Sequence, residues 1–215
     1  MADSPSLPPP PSSADLKPLI DVWGRGRQII RCHASDFGAT EFNHGVGPEH
    51  RFNPIRLPDG KNIPTLYGSD SIDGALSETV FHTVPARGPD KAVLSRRLDR
   101  LLVSTLASKR DLTLVQLHGH GASRIGTSRQ ELIESEADQY ETTRRWAEAL
   151  HESVDDADGL VWVSRQYDTS LCLVLFGDRV ERSTLEVVKP PLPLAFGMGL
   201  VAVQEAAEKA AILLI

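Results

Sequence analysis

The feature that most constrains this chain is residues 33–62, which show neither helical nor strand periodicity. They carry Gly38, Gly45, Gly47, Pro48, Pro54, Pro58 and Gly60. A stretch that long is uncommon in a compact domain unless it builds a site. Strand-like runs flank it, Arg27 to Cys32 before and Ile63 to Tyr67 after. Any fold must therefore hold a wide irregular loop between two short strands.

The rest of the chain alternates strand and helix signals. Ser69 or Asp70 can cap a helix running to about His82, with Ile72, Ala75, Leu76 and Val80 at helical spacing. Glu78 lies off the centre of that stripe, toward an edge of the core. Leu101 to Leu106 and Leu112 to Leu117 read as strands, with Asp111 in the turn between them. A longer helix is predicted from about Ser128 to His151, burying Tyr140, Trp146, Ala147 and Leu150. Gly159 to Val163 and Leu171 to Phe176 are two further strands, and Ser164 to Ser170 between them is polar and turn-like. No internal repeat appears. The pattern is that of an α+β fold in one compact domain.

Three segments divide the chain. Residues 1–16, with Pro8 to Pro11 and many Ser and Ala, are too poor in apolar surface to offset ordering and are predicted to be a disordered tail. Residues 17–189 form the folded domain. Residues 190–215 open with a break at Pro190, Pro191 and Pro193 and continue as a C-terminal helix, with Leu200, Val203, Ala207, Ala211 and Leu214 toward a packing surface.

Bulk properties exclude several classes. The net charge of -6 argues against direct nucleic-acid binding, which needs clustered Lys and Arg. Leu192 to Ile215 is the most apolar stretch, but Gln204, Glu205, Glu208 and Lys209 interrupt it, so no membrane span is expected. The N-terminus lacks the charge and apolar run of a secretory signal, which leaves the cytoplasm as the expected compartment. Cys32 and Cys172 are far apart and lack CxxC spacing, so two reduced thiols are expected.

Several motifs fail on inspection. Gly121 to Ser128 has the glycine spacing of a phosphate-binding loop, but Thr127 stands where the lysine belongs. No GxGxxG follows a strand, and there is no GxSxG elbow. His118 and His120 form an HxH pair without a third ligand at convincing spacing, so no metal site is expected.

One constellation survives. Arg31, His33, Arg51, Asn53, Tyr67, Ser69 and Glu78 cluster in sequence around the glycine-rich loop. Spacing alone leaves two readings open, a shared site or a set of solvated charges.

Longer segments carry a resemblance. Arg31-Cys-His, His50-Arg51-Phe52-Asn53-Pro54, Thr65-Leu66-Tyr67-Gly68-Ser69 and Ala75-Leu76-Ser77-Glu78 are followed by Asp158 to Arg165 and Leu173 to Phe176. In that order, and with Arg145-Trp146-Ala147 between them, they resemble the RES domain family over roughly residues 25–180. The resemblance implies a fold similar to ADP-ribosyltransferase toxins. It implies the toxin half of a bacterial toxin–antitoxin pair, consuming NAD as substrate and needing no other cofactor. The implied partner is a small helix-turn-helix antitoxin of the Xre type that covers the site, so an oligomer with the antitoxin is implied too. The family's Arg, Glu and Ser map to Arg31, Glu78 and Ser164 as catalytic residues, with Arg31, Arg51, Tyr67 and Asn53 binding NAD. Two positions depart from the pattern: His50 replaces a glycine, and Phe37 or Phe42 stands where a tyrosine is common.

These residue types suit cleavage of a nicotinamide–ribose bond. Nicotinamide leaves as a neutral base, and positive charge builds on the ribose as in glycoside cleavage. A carboxylate such as Glu78 stabilises that charge. Arginine forks suit a diphosphate, and Tyr67 offers a flat face. Ser164 can fix the ligand but has no His–Asp arrangement that would make it a nucleophile. Hydrolysis and phosphorolysis stay open as reactions. A protein mono-ADP-ribosyltransferase and an inactive module that binds an antitoxin are the alternatives.

Overall fold

The computed structural model describes residues 7–57, 59–88 and 90–215. In chain order the first half has β1 (Ile20–Trp23), β2 (Gln28–Ala34), β3 (Ile55–Arg56), β4 (Asn62–Ile63), β5 (Thr65–Ser69) and α1 (Ile72–Ser77). There follow β6 (Ala92–Val93), β7 (Leu101–Ser108), β8 (Leu112–Gln116), α2 (Gly121–Arg124), α3 (Arg129–Leu132) and α4 (Tyr140–Ser153). The chain closes with β9 (Gly159–Val163), β10 (Leu171–Phe176), β11 (Leu185–Pro193), α5 (Gly197–Lys209) and β12 (Leu213–Leu214).

Eight strands form one sheet in the order β1-β8-β9-β10-β5-β2-β7-β11. All its pairs are antiparallel except β8 with β9. The sheet curls on itself. Trp23 and Leu114, near one end of the strand order, share a single buried cluster with Ile29 and Leu106 near the other end. Leu66, Val161 and Leu173 from the middle strands fill the same cluster. Alternation along each strand sends the intervening side chains to the opposite face. There, Trp162, Val174 and Phe176 pack beneath α4, through Trp146 and Leu150. Farther along, Ile30 and Val103 pack beneath α1 and α5, through Leu76 and Val203. The result is a mixed α/β single domain.

β9 and β10 follow the predicted boundaries to the residue. Other elements differ for local reasons. Ser71, not Ser69 or Asp70, caps α1, accepting a bond from Gly74 N at 3.0 Å, and the helix ends at Ser77. The predicted helix over 128–151 is two: Ser128 and Glu131 form a capping box that starts α3, which stops at Leu132, and α4 begins at Tyr140. The predicted strands 101–106 and 112–117 exist but do not pair with each other; the turn at Asp111 carries the chain between distant parts of the sheet.

The terminal segments also depart from expectation. The first six residues of the predicted tail lie outside the described residues, but residues 7–16 are ordered against the core. Leu7 and Leu16 are buried, and Trp146 Nε1 donates to the Pro8 carbonyl at 2.9 Å. The predicted proline break is part of an edge strand: Pro190, Pro191 and Pro193 lie in β11, whose register against β7 shifts on either side of Lys189. An edge strand tolerates proline because one row of its backbone groups needs no partner. The C-terminal helix buries Val203 and Ala207 as expected, but it ends at Lys209, before Ala211 and Leu214. Among the described residues no helix is long and apolar enough to cross a membrane. Both cysteines are free, and burial pushes the Cys32 thiol up to about 12.

Candidate active site

Glu78 is the residue just after α1, where the chain turns back toward the core. The loop between β9 and β10 meets it there. Ser164 Oγ donates to Glu78 Oε1 at 2.6 Å, and the Arg165 backbone N–H donates to the same oxygen at 2.8 Å. Ser164 is fully buried. Its hydroxyl also accepts from the backbone N–H groups of Tyr167 at 3.1 Å and Gln166 at 3.3 Å. The serine thus closes its own turn and holds the carboxylate with one group. Among the described residues, Glu78 Oε2 takes no hydrogen bond.

Tyr67 comes from β5 and points to the same face. Its ring packs edge-on against Trp162 at 6.2 Å and lies 6.3 Å from the ring of His50. Its hydroxyl accepts from the Phe52 backbone N–H at 3.2 Å, tying the irregular loop to the sheet. Burial pushes its pKa upward, so the phenol stays neutral.

Arg51 enters from that loop and is buried. One nitrogen, Nη1, donates to Ser135 Oγ at 2.6 Å and to the carbonyls of Leu132 and Ser135, both at 3.2 Å. The guanidinium carbon lies 5.3 Å over the ring of Tyr140. Nη2 is buried with no hydrogen-bond partner among the described residues. Burial lowers the Arg51 pKa, while Tyr140, Glu78 and Tyr67 favour its charge. A buried cation with a free donor is costly unless something anionic meets it.

The structure separates the remaining expected residues from this cluster. Arg31 lies on β2 two positions after Ile29, so it faces the interior of the curl with Leu66, on the side of the sheet opposite Tyr67. Its Nη1 donates to the carbonyls of Glu41 at 2.6 Å and Ala39 at 2.8 Å, and burial draws its pKa down to about 10. Arg31 pins the irregular loop and is not beside Glu78. Asn53 is buried too, accepting from Thr65 Oγ1 at 2.9 Å, and supports the loop from behind. His33 is occupied by Ser104 Oγ at 2.8 Å.

Other residues join the site without a clear sequence signal. Tyr140 reads in sequence as core. Arg165 pairs with Glu136 at 2.5 Å, and its only sequence cue is that it follows Ser164. His82 accepts Gln166 Nε2 on its carbonyl at 2.8 Å, and burial lowers its ring pKa. The HxH pair is a polar turn, with His118 Nε2 3.0 Å from Asp21, and among the described residues no cluster has the makings of a metal site.

Fold and site together define a mixed α/β domain whose curled sheet presents a serine-held carboxylate beside a buried arginine. The RES domain family matches residues 28–196, and the chain belongs to that family. No curated protein matches the chain. A solved chain from the M. tuberculosis MbcT–MbcA toxin–antitoxin complex superposes with a TM-score of 0.60 at 15% identity. The likeness covers 86% of this chain and 92% of that one, and at that identity it is a likeness of fold.

Proposed function

We propose that this chain consumes NAD by breaking the bond between the nicotinamide nitrogen and the ribose. The observation that carries this reading is the Ser164–Glu78 bond together with the unpartnered Nη2 of Arg51, whose charge Glu78 favours. A fixed carboxylate suits a developing cation, and a buried guanidinium donor suits a phosphate oxygen.

In the proposed step the carbon–nitrogen bond breaks and its electron pair goes to the nicotinamide ring, which leaves neutral. Glu78 faces the charge that builds on the ribose. An oxygen of water or of phosphate then bonds to the same carbon. Attack by water releases a proton and gives ADP-ribose; attack by phosphate gives its 1-phosphate. Arg51 holds a phosphate oxygen, and Tyr67 bounds the nicotinamide or ribose. Ser164 acts by keeping Glu78 in place.

Family membership supports this reading, and it supports a toxin role. The MbcT–MbcA complex supports a protein antitoxin as partner, for which a helix-turn-helix protein is the proposed type. A cytoplasmic location, where NAD is at hand, goes with this proposal. The test is incubation of the purified chain with labelled NAD, with and without phosphate. Nicotinamide release that Glu78→Gln abolishes is the expected result, and the second product distinguishes water from phosphate. Label left on protein would replace this reading with protein ADP-ribosylation. Neither release nor labelling from a folded chain would leave an inactive antitoxin-binding module.

A further inference from the structure

Asp70 stands at the other end of α1 from Glu78 and touches nothing in the cluster described above. Its Oδ1 accepts from Ser170 Oγ at 2.6 Å and from the Leu171 backbone N–H at 3.0 Å. Its own N–H donates to the Leu171 carbonyl at 2.9 Å, and its Oδ2 pairs with Arg27 at 3.1 Å. Ser170 is fully buried, and its oxygen also lies 2.8 Å from the hydroxyls of Ser69 and Ser71. Ser71 is the cap of α1.

This network joins the two pieces that carry the site. Ser170 ends the loop that Ser164 begins, and the Ser164 N–H donates to the Ser170 carbonyl at 2.9 Å. The α1 side is equally tight. A Cβ on Gly74 would lie 2.2 Å from Ser170 Oγ and 2.4 Å from Ser69 Oγ, so the helix approaches this closely only because residue 74 is glycine. The start of α1 is therefore bolted to the end of the loop, and the end of α1 meets its beginning at Glu78 and Ser164. A small rotation at the bolt shifts the carboxylate relative to the Ser164 hydroxyl and the Arg165 N–H.

We propose that Asp70, through Ser170, is a positioning residue that sets the register between α1 and the loop after β9, and so the placement of Glu78. The proposal rests on Glu78 being the electrostatic centre of NAD cleavage. Misplacement of a charge that acts in the transition state lowers turnover more than substrate binding. Asp70→Ala is expected to lower kcat about tenfold or more with KM within about twofold. Asp70→Asn keeps an acceptor for Ser170 and Leu171 and should recover most of the loss. Adding Asp70→Ala to Glu78→Gln should cost little more, because both act on one element. Ser170→Ala removes only the hydroxyl and serves if Asp70→Ala does not fold.

Hydrogen exchange on the same variants reads the bolt without any substrate. Faster exchange confined to residues 72–80 and 164–171 in Asp70→Ala, and not in Asp70→Asn, is the expected result. No nicotinamide release from the wild-type protein, together with this exchange pattern in the variants, would end the NAD reading while leaving the bolt intact. Unchanged exchange, or full kcat in a folded Asp70→Ala or Ser170→Ala protein, overturns the proposal.

Discussion

Ser164 and Glu78 stand 86 residues apart in the chain, yet the serine hydroxyl donates to the carboxylate at 2.6 Å. The bond occupies one oxygen of the carboxylate, and among the described residues the other takes no hydrogen bond. It also fixes the side chain before any substrate arrives, which is how a charge stabilises a transition state without reorganising.

Glu78→Gln keeps an acceptor for Ser164 and Arg165 while removing the charge. The expected result is a fall in kcat of about 10²–10³-fold, with NAD affinity changed by less than about threefold. Nicotinamide release and calorimetric titration of NAD measure the two separately. Near-normal kcat would remove Glu78 from the chemistry.

The two buried arginines should behave differently. Arg51→Ala removes the unpartnered buried donor and is expected to weaken NAD binding about tenfold or more. Arg31→Ala should leave NAD affinity within about twofold but lower stability by about 2–4 kcal/mol, since the carbonyls of Ala39 and Glu41 lose their buried donor. Calorimetry and urea unfolding on both variants decide the assignment. A large loss of affinity in a stable Arg31→Ala protein would return Arg31 to the site.

Much of the fold is legible in sequence, because the inner strands of the sheet bury apolar residues over short runs bounded by turn chemistry. β9 and β10 are the clearest case. What periodicity misses is the interruption of an apolar pattern by capping, as where Ser128 and Glu131 start a helix that stops after one turn. Residues of the site are legible one by one, but not their meeting. Arg31 and Arg51 look alike in sequence. Strand alternation shows that Arg31 faces the inside of the curl, and only the packing of the irregular loop against Ser135 and Tyr140 brings Arg51 under the influence of Glu78. Tyr140 and His82 carry no local mark at all, because their part in the site depends on contacts made far along the chain.

Acid should weaken this fold. His33 is buried, and burial holds its pKa below the ordinary 6.5; His82 is half-buried and shifted the same way. The unfolded chain takes up these protons near pH 6.5, and the folded chain only at lower pH. Stability from both groups is therefore complete above pH 6.5 and falls as pH drops through it toward the folded values. Urea midpoints measured from about pH 8 to about pH 5 should decline, and His33→Gln with His82→Gln should flatten the slope. An unchanged slope in the double variant would assign the acid sensitivity elsewhere.

The ordered part of the N-terminal segment should contribute to stability. Leu7→Ala is expected to cost about 2–4 kcal/mol, because the side chain is 3% exposed and sits in the cluster beneath α4. Trp146→Phe loses the bond to the Pro8 carbonyl and should cost about 1 kcal/mol more than the change in packing alone. Thermal and urea unfolding measure both. A Leu7→Ala protein as stable as wild type would mean that the segment contributes nothing to the fold.

The prolines of β11 bear on what this protein avoids. β11 is the last strand of the sheet, with Val187 and Val188 half exposed along it. Such an edge invites another chain to add a strand, and apolar side chains would reward it. Pro190, Pro191 and Pro193 have no N–H to offer, which removes donors from a strand whose open side another chain would need, and the shifts of register around Lys189 interrupt the row further. The β11 edge is therefore a poor template for a strand from another copy of this chain.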